Sequence, residues 1–263
     1  MAPLTLTLIQ ANLHWENKPA NLEMFQQKIE AVGQKTEVVI LPEMFSTGFS
    51  MRPQGLAENM EGETLQWMKK TAAKNNIILT GSVIIQENEQ YFNRLIWMLP
   101  NGQFGQYDKR HLFGFAGEHE QYTAGKKRLV ASVKGWKIHL QVCYDLRFPV
   151  WARQTPAKIA GEYDVLINVA NWPKKRILAW KTLLQARAIE NQCFVVGVNR
   201  VGIDGNNHLY NGNSLLIDPS GEIIFQGSEA EETTTITLQK ETLLQNRSQF
   251  PFLKDADSFM ITG

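Results

Sequence analysis

A cysteine ends an apolar stretch in the segment WKIHLQVCYDLRFP, residues 136–149. Cysteine is among the residues most often buried, so a lone cysteine within a core needs no functional explanation. That interpretation fits Cys193, which lies inside the apolar run CFVVGV. It fits Cys143 less well, because Asp145 and Arg147 follow at once and place that end of the predicted strand near water. We therefore predict that Cys143 is a reactive thiol.

Two groups that a thiol nucleophile needs also follow predicted strands. Glu43 comes after VVILP, and Lys109 comes after QFGQYD. Ligand sites of α/β sheets lie at the carboxyl ends of strands, so we expect these groups to meet Cys143 there. A carboxylate takes the proton of a thiol, and an ammonium group stabilises the thiolate and the oxyanion formed by attack. The backbone N–H of Tyr144, beside the nucleophile, is a second candidate donor to that oxyanion.

Each of these residues also has an ordinary structural interpretation. Glu43 is equally suited to the N-terminus of a helix, and Lys109 taken alone is a typical solvated lysine. Asp145 and Arg147 are expected to orient the turn by a salt bridge or backbone hydrogen bonds. A pairing of the thiol with His111 or His119 is a further alternative, and spacing alone does not bring any of these groups together.

The elements that must position these residues alternate between strands and helices. The segments LTLTLIQ (4–10), VVILP (38–42) and IILTGSVII (77–85) read as strands, and two helical patterns lie between them. A hairpin follows around PNG (100–102), then more strands, a helix without Gly or Pro at 176–190, and a last hairpin around DPSG (218–221). The segment from 240 onward is mixed and polar. This order predicts one α/β domain.

Composition excludes several classes of function. The chain has 263 residues, of which 43% are hydrophobic and 20% charged, and its net charge of +1 gives no broad basic face for nucleic acid. No apolar run approaches the ~20 residues of a membrane helix, and no Lys or Arg precedes Lys18 as a signal peptide would require. Two cysteines do not make a disulfide framework. We expect a cytoplasmic protein without a membrane or nucleic-acid partner.

Motifs for metals and nucleotides are missing from the sequence. The five histidines show no metal-binding spacing, and neither G-x-x-x-x-G-K-[ST] nor G-x-G-x-x-G occurs. We expect no metal and no cofactor.

Three segments contain the candidate residues: LPEMF (41–45), YDKRHLF (107–113) and VCYDLRFP (142–149). Two further segments follow them, NVANWP (168–173) and RAIENQCFVVGVNRVG (187–202). The first three resemble, in the same order, the signature segments of the nitrilase, or carbon–nitrogen hydrolase, superfamily, and the other two resemble segments that follow in that family. Within the superfamily the chain is similar to the omega-amidase branch, the 2-oxoglutaramate amidases.

The resemblance implies a fold and a set of site residues. The fold is a four-layer α-β-β-α sandwich, here one carbon–nitrogen hydrolase domain over residues 1–263, which assembles as a homodimer without cofactor or metal. Glu43 is implied as the general base, Lys109 as the lysine that binds the oxyanion, and Cys143 as the nucleophile. A second glutamate of the family corresponds to Glu118 or Glu120, and Glu118 matches the spacing better.

The implied substrate is a small dicarboxylic monoamide such as 2-oxoglutaramate. Its free carboxylate needs a cation or several N–H donors, because a desolvated carboxylate without partners is costly. In the segment NWPKKR we expect Arg176 to bind that carboxylate and Trp172 to wall the carbon chain. Phe45 is expected to form the opposite wall, and Tyr144 to contact the amide end. The alternative is that residues 174–176 are simply solvated.

Three other functions compete with this one. A nitrilase or an N-carbamoyl hydrolase uses the same residues on another substrate. A non-catalytic metabolite-binding protein would retain the fold without the reaction. A redox protein would pair Cys143 with Cys193, although the two lie 50 residues apart without a C-x-x-C motif.

Overall fold

The computed structural model describes residues 2–154 and 162–261, where the chain forms strands and helices in alternation. The strands are β1 Leu4–Gln10, β2 Val38–Ile40, β3 Ile78–Glu87, β4 Gln90–Met98, β5 Phe104–Asp108, β6 Leu129–Val133, β7 Trp136–Val142, β8 Val165–Ala170, β9 Phe194–Asn199, β10 Val201–Ile203, β11 Leu209–Asn211, β12 Leu215–Ile217, β13 Ile223–Gln226 and β14 Glu232–Leu238. The helices are α1 Lys18–Glu30, α2 Glu63–Asn75, α3 Glu118–Gln121, α4 Pro149–Ala152, α5 Ile177–Asn191 and α6 Lys240–Gln249.

Two sheets of the same layout carry the fold. The first has the strand order β14-β1-β2-β3-β4-β5 and the second the order β13-β12-β9-β8-β7-β6. In each sheet three neighbouring strands are parallel, β1 to β3 in one and β7 to β9 in the other, and the outer strands are antiparallel. Strands β10 and β11 form a separate pair. Since β5 runs in the same direction as β3, its carboxyl end lies at the same edge as the ends of the parallel strands.

The sheets pack face to face, and helices cover their outer faces. Leu6 and Ile40 of the first sheet share a fully buried cluster with Leu140 and Ile167 of the second. Helices α1 and α2 pack on the outer face of the first sheet, and α5 packs on that of the second through side chains such as Trp180. Short strands that are apolar on both faces, such as β2, are stable only when covered in this way. The predicted α-β-β-α sandwich is confirmed.

Two elements near the end of the chain were not predicted. Strand β14 pairs antiparallel with β1, with Leu6 opposite Ile236, and closes the first sheet. The segment after 240 reads as mixed and polar, and the helix that its residues Lys240–Gln249 form, α6, was missed. Leu243 is the apolar side chain that α6 buries, so its sequence shows little of the 3.6-residue pattern by which helices are recognised.

No helix in residues 2–154 and 162–261 is long and apolar enough to span a membrane. The same residues contain no cluster of three or more His, Cys, Asp or Glu side chains that suits a metal ion.

Candidate active site

Cys143 occupies a sharp turn at the end of β7. Its φ is +44°, in the left-handed region that residues other than glycine seldom adopt, and a short 3-10 turn, Cys143–Arg147, begins there. Such backbone strain persists only where surrounding structure enforces it, and it concentrates at functional sites. The turn ends the strand at Val142 and leaves Cys143 half-buried in the lining of a cavity.

Asp145 stabilises the turn through hydrogen bonds. Its buried carboxylate accepts the backbone N–H of Val142 at 3.0 Å and the hydroxyl of Tyr107 at 2.7 Å. It also accepts the backbone N–H of His111 at 2.9 Å and contacts His111 Nδ1 at 2.8 Å. Asp145 therefore orients the turn, as expected from its position. Because His111 directs Nδ1 at Asp145 and His119 is exposed, neither histidine is placed as the base of Cys143.

Glu43 lies at the end of β2 and reaches across to the second sheet. Its carboxylate is fully buried. Oε1 accepts Asn93 Nδ2 at 2.8 Å and Lys109 Nζ at 2.9 Å, and Oε2 accepts the backbone N–H of Asn171 at 2.9 Å. Asn171 follows β8, and its Nδ2 donates to the backbone carbonyl of Glu43 at 2.6 Å. These bonds join the strand ends of both sheets.

Lys109 is fully buried between two carboxylates. Its Nζ lies 2.9 Å from Glu43 Oε1 and 2.8 and 3.0 Å from the two oxygens of Glu118. Glu118 begins the four-residue helix α3 and is fully buried, whereas Glu120 on the same helix is exposed. The structure therefore brings Glu118, and not Glu120, to Lys109.

The segment after α3 lies close to Lys109 because residue 125 is a glycine. Its N–H donates to the carbonyl of Lys109 at 2.9 Å. A Cβ at this position would lie 2.0 Å from the carbonyl oxygen of Asp108, so a larger residue would push the two segments apart.

Burial and the neighbouring charges shift the pKa values of the residues in this cluster. Burial and the neighbouring carboxylate of Glu43 raise the pKa of Cys143 well above its usual range, and Lys109 only partly opposes this. Burial alone would lower the pKa of Lys109, but Glu118 and Glu43 raise it well above its ordinary value. Burial raises the pKa of Glu118, an effect that Lys109 opposes. The resting site therefore holds a neutral thiol and a charged Lys109.

The second cysteine has a different environment. Cys193 is fully buried under α5, and its thiol lies 3.9 Å from the backbone carbonyl of Arg187. Burial raises the pKa of Cys193 to about 12. Both cysteines are free thiols. The structure does not bring Cys193 into the candidate site, which leaves no support for a redox pair.

A cavity of about 890 Å³ opens over Cys143. Tyr144, Trp172 and Arg176 line it, as the sequence-based expectation requires. Phe45 does not line it. The ring of Phe45 is buried in the outer core, with its centroid 5.6 Å from that of Phe25 and 5.8 Å from that of Trp67. The placement of Phe45 as a wall of the substrate site is therefore wrong.

The side chain that replaces Phe45 as a wall is Phe49. It lines the cavity, and its ring centroid lies 5.1 Å from Lys109 Nζ. Met44 has a φ of +43° and turns the chain directly after Glu43. This turn sends Phe45 back to the helices, and the next aromatic residue along the chain takes the position at the cavity.

Two guanidinium groups line the cavity above aromatic rings. Arg176 lies 4.9 Å from the ring centroid of Phe113, and Arg147 lies 5.0 Å from that of Trp172. We did not predict Arg147 as a substrate contact, although its place four residues after Cys143 in the same turn is a signal that could have identified it. Asn93, which donates to both Glu43 and Glu118, was also missed. The pair Asn93 and Arg94, two polar residues directly before the apolar run LIWM, is the corresponding signal there.

Comparison with known proteins identifies the family. Residues 5–246 match the model of the carbon-nitrogen hydrolase family. The chain belongs to that family. An omega-amidase of Yersinia enterocolitica is 44% identical to this hydrolase, and the match covers 99% of the present chain and 100% of the relative. A 2-oxoglutaramate amidase of Bacillus subtilis is 33% identical over 95% of this chain and 96% of its own.

A solved structure agrees with the fold. A CN-hydrolase superfamily protein of Xanthomonas campestris, with an arsenic adduct in its active site, matches this hydrolase with a TM-score of 0.96 at 42% identity over 100% of both chains. The family places this chain among enzymes that hydrolyse carbon–nitrogen bonds.

Proposed function

We propose that this hydrolase is an omega-amidase, which releases ammonia from the side-chain amide of a small dicarboxylic monoamide such as 2-oxoglutaramate. The observation that carries the proposal is one cavity that is lined by the thiol of Cys143 and by the guanidinium groups of Arg147 and Arg176. Asn171 of the same lining donates a hydrogen bond to the buried carboxylate of Glu43, the proposed base. A nitrilase would need the same thiol but no partner for a carboxylate. The full-length likeness to relatives named omega-amidase supports the same substrate class.

In the first half-reaction Cys143 becomes acylated. As Sγ attacks the amide carbon, its proton passes to Glu43, the carboxylate whose charge acts on the thiol. The oxyanion is stabilised by Lys109 Nζ and by the N–H of Tyr144, which is free because the first N–H groups of a helical turn have no partner within it. The carbon–nitrogen bond then breaks, the nitrogen takes the proton from Glu43, and ammonia leaves a thioester behind.

In the second half-reaction water cleaves the thioester. Glu43 takes a proton from water as its oxygen attacks the carbonyl carbon, and Lys109 again stabilises the oxyanion. The carbon–sulfur bond breaks, and the proton held by Glu43 returns to the sulfur as the acid is released. Glu118 also accepts hydrogen bonds from Lys109 Nζ, so the ammonium remains in place through both steps. Two easier steps thereby replace one difficult hydrolysis.

The free carboxylate of the substrate is assigned to the guanidinium groups of the cavity. Arg176 and Arg147 each lie over an aromatic face, which fixes the plane of the guanidinium without using all of its N–H donors. A guanidinium binds a carboxylate through two parallel hydrogen bonds, and this geometry favours an acid over a neutral group of equal size. Trp172, between these two positions in the cavity wall, contacts the carbon chain.

An ammonia-release assay tests the proposed activity. We expect five-carbon and four-carbon monoamides with a free carboxylate to be hydrolysed with higher kcat/KM than uncharged amides of the same length. Matched nitriles and N-carbamoyl compounds separate the competing enzymes. A preference for uncharged amides, or release of ammonia from nitriles alone, would contradict the omega-amidase assignment.

We further infer that the protein is a cytoplasmic homodimer built from one domain. Exposed apolar side chains on α5 and on the adjoining edge strand β13 support an interface there, since Leu178 is 78% and Ile224 50% exposed. Two free thiols are typical of a reducing compartment. Sedimentation should give twice the chain mass, and Leu178→Asp should shift the equilibrium toward the monomer without loss of the thiol chemistry.

A further inference from the structure

Asn93 contacts both carboxylates of the candidate site. It lies in β4 and is fully buried. Its Nδ2 donates to Glu43 Oε1 at 2.8 Å and lies 3.3 Å from Glu118 Oε1. Its backbone carbonyl accepts the N–H of Lys109 at 3.0 Å, so the pairing of β4 with the chain after β5 places the amide directly beside the ammonium group.

The charge of the cluster explains why a neutral donor is needed at this place. Glu43 and Glu118 are two carboxylates around one ammonium, so one negative charge in a buried site has no opposite charge to balance it. A hydrogen bond to the charged form of a carboxylate stabilises that form. An amide supplies such bonds without adding a positive charge, and a second cation here would reduce the basicity that Glu43 needs to accept the proton of Cys143.

The two carboxylate oxygens of Glu43 accept hydrogen bonds from different donors. Lys109 and Asn93 both donate to Oε1, whereas Oε2 receives the backbone N–H of Asn171. An ionised carboxylate only accepts hydrogen bonds, so the amide must present its NH₂ end to both glutamates. Oε1 is thereby engaged on one side by a cation and on the other by a neutral donor.

We propose that Asn93 is a positioning residue that holds Glu43 and Glu118 side by side as acceptors, so that Glu43 stays available to take the proton of Cys143. The proposal rests on the proposed function, in which Glu43 is the base. Asn93, on β4, would then affect the reaction by orienting the two glutamates and not by contacting the substrate.

The test measures the reactivity of Cys143 in a way that requires no substrate. The rate of its alkylation by iodoacetamide is followed against pH in the wild type and in Asn93→Asp, which keeps the shape of the side chain but replaces the donor by a further negative charge. We expect the acid limb of the profile to move upward by at least about one pH unit, a tenfold loss of rate on that limb. Asn93→Leu, similar in volume and without charge, should shift the limb in the same direction.

Asn21→Leu is the matched control. Asn21 is also fully buried, and its Nδ2 likewise makes two hydrogen bonds, to the carbonyls of His14 and Ser46, outside the candidate site. This variant should lose stability but keep the wild-type alkylation profile. With an active amide substrate, Asn93→Leu should lower kcat about tenfold or more while KM stays within a factor of about two.

The outcomes separate the two claims. An unshifted alkylation profile in the uncharged variant Asn93→Leu overturns the role of Asn93, whatever the substrate proves to be. A shifted profile in Asn93→Leu, in a protein that hydrolyses no omega-amide, supports the role of Asn93 and contradicts only the proposed function. If Asn93→Leu fails to fold, Asn93→Ala, which also lacks the donor and adds no charge, decides the question.

Discussion

Glu118 Oε2 lies 2.8 Å from Lys109 Nζ, and neither side chain has any surface exposed to solvent. The next acidic residue of the same short helix, Glu120, is exposed. This pair gives a matched test. Glu118→Gln should lower kcat/KM by at least about a hundredfold, because the ammonium loses one of the charges that hold it. Glu120→Gln should retain the wild-type value. A larger loss in Glu120→Gln, measured by ammonia release, would contradict the assignment.

Removal of the buried ammonium group should cost both activity and stability. Lys109→Met leaves two buried carboxylates facing each other, and breaking a buried ion pair in this way typically costs about 3–5 kcal/mol. We expect the free energy of unfolding, measured by urea denaturation, to fall by that order and turnover to be lost.

A double-substitution cycle checks the origin of that cost. Adding Glu118→Gln to Lys109→Met should recover part of the lost stability, because only one buried carboxylate, Glu43, remains. Lys174→Met, at an exposed position, is the control and should change neither property. Additive losses in the double variant would show that the two side chains do not interact as the distances indicate.

The guanidinium groups should act on acidic substrates alone. Arg176→Ala should raise KM about tenfold or more for monoamides with a free carboxylate, since a charged hydrogen-bonded partner is worth about 1.5–3 kcal/mol. Arg147→Ala should act in the same direction. An uncharged amide of equal length should be almost unaffected in either variant. Lys174→Ala, which does not line the cavity, is the control. Equal effects on charged and uncharged amides would remove the carboxylate-binding role.

His139 should make stability depend on pH. Burial, together with the charge of Arg128, lowers its pKa to about 3 from an ordinary value of 6.5. Between pH 6.5 and 3 the unfolded chain therefore binds a proton that the folded chain does not, so the contribution of His139 falls as the pH falls, by up to about 1.4 kcal/mol per pH unit. Above pH 6.5 this residue adds no pH dependence.

A substitution isolates that contribution. The difference in free energy of unfolding between wild type and His139→Gln should be constant above pH 6.5 and should change steadily below it, in favour of the variant. His119→Gln, at an exposed position, should follow the wild type throughout. A constant difference down to pH 4 for His139→Gln would show that the imidazole is protonated in the folded protein.

Much of the site could be predicted because its residues stand at strand ends. Glu43, Lys109 and Cys143 each follow a strand, and the carboxyl ends of these strands meet at one edge of the two sheets. Spacing could not decide between Glu118 and Glu120, since both belong to a helix of four residues that has no periodicity to read. Burial decides it, and burial depends on contacts between distant segments.

The remaining differences have local causes. Phe45 was misplaced because a turn of positive φ at Met44 reverses its direction, and single-residue turns of this kind leave no pattern in the sequence. Strand β14 is half-exposed and rich in threonine, and it is defined by its pairing with β1. Covered sheets could be predicted because strands such as β2 are apolar on both faces and need cover on each side, whereas the four layers were expected from the family resemblance.

The most direct test of the account is to trap the covalent intermediate. Rapid quench during turnover of a carboxylate-bearing monoamide, followed by intact mass measurement and peptide mapping, should show an adduct equal to the substrate minus ammonia on Cys143. Cys143→Ala should have the circular dichroism spectrum of the wild type, form no adduct and release no ammonia. An adduct on Cys193, or sustained ammonia release by Cys143→Ala, would contradict the account.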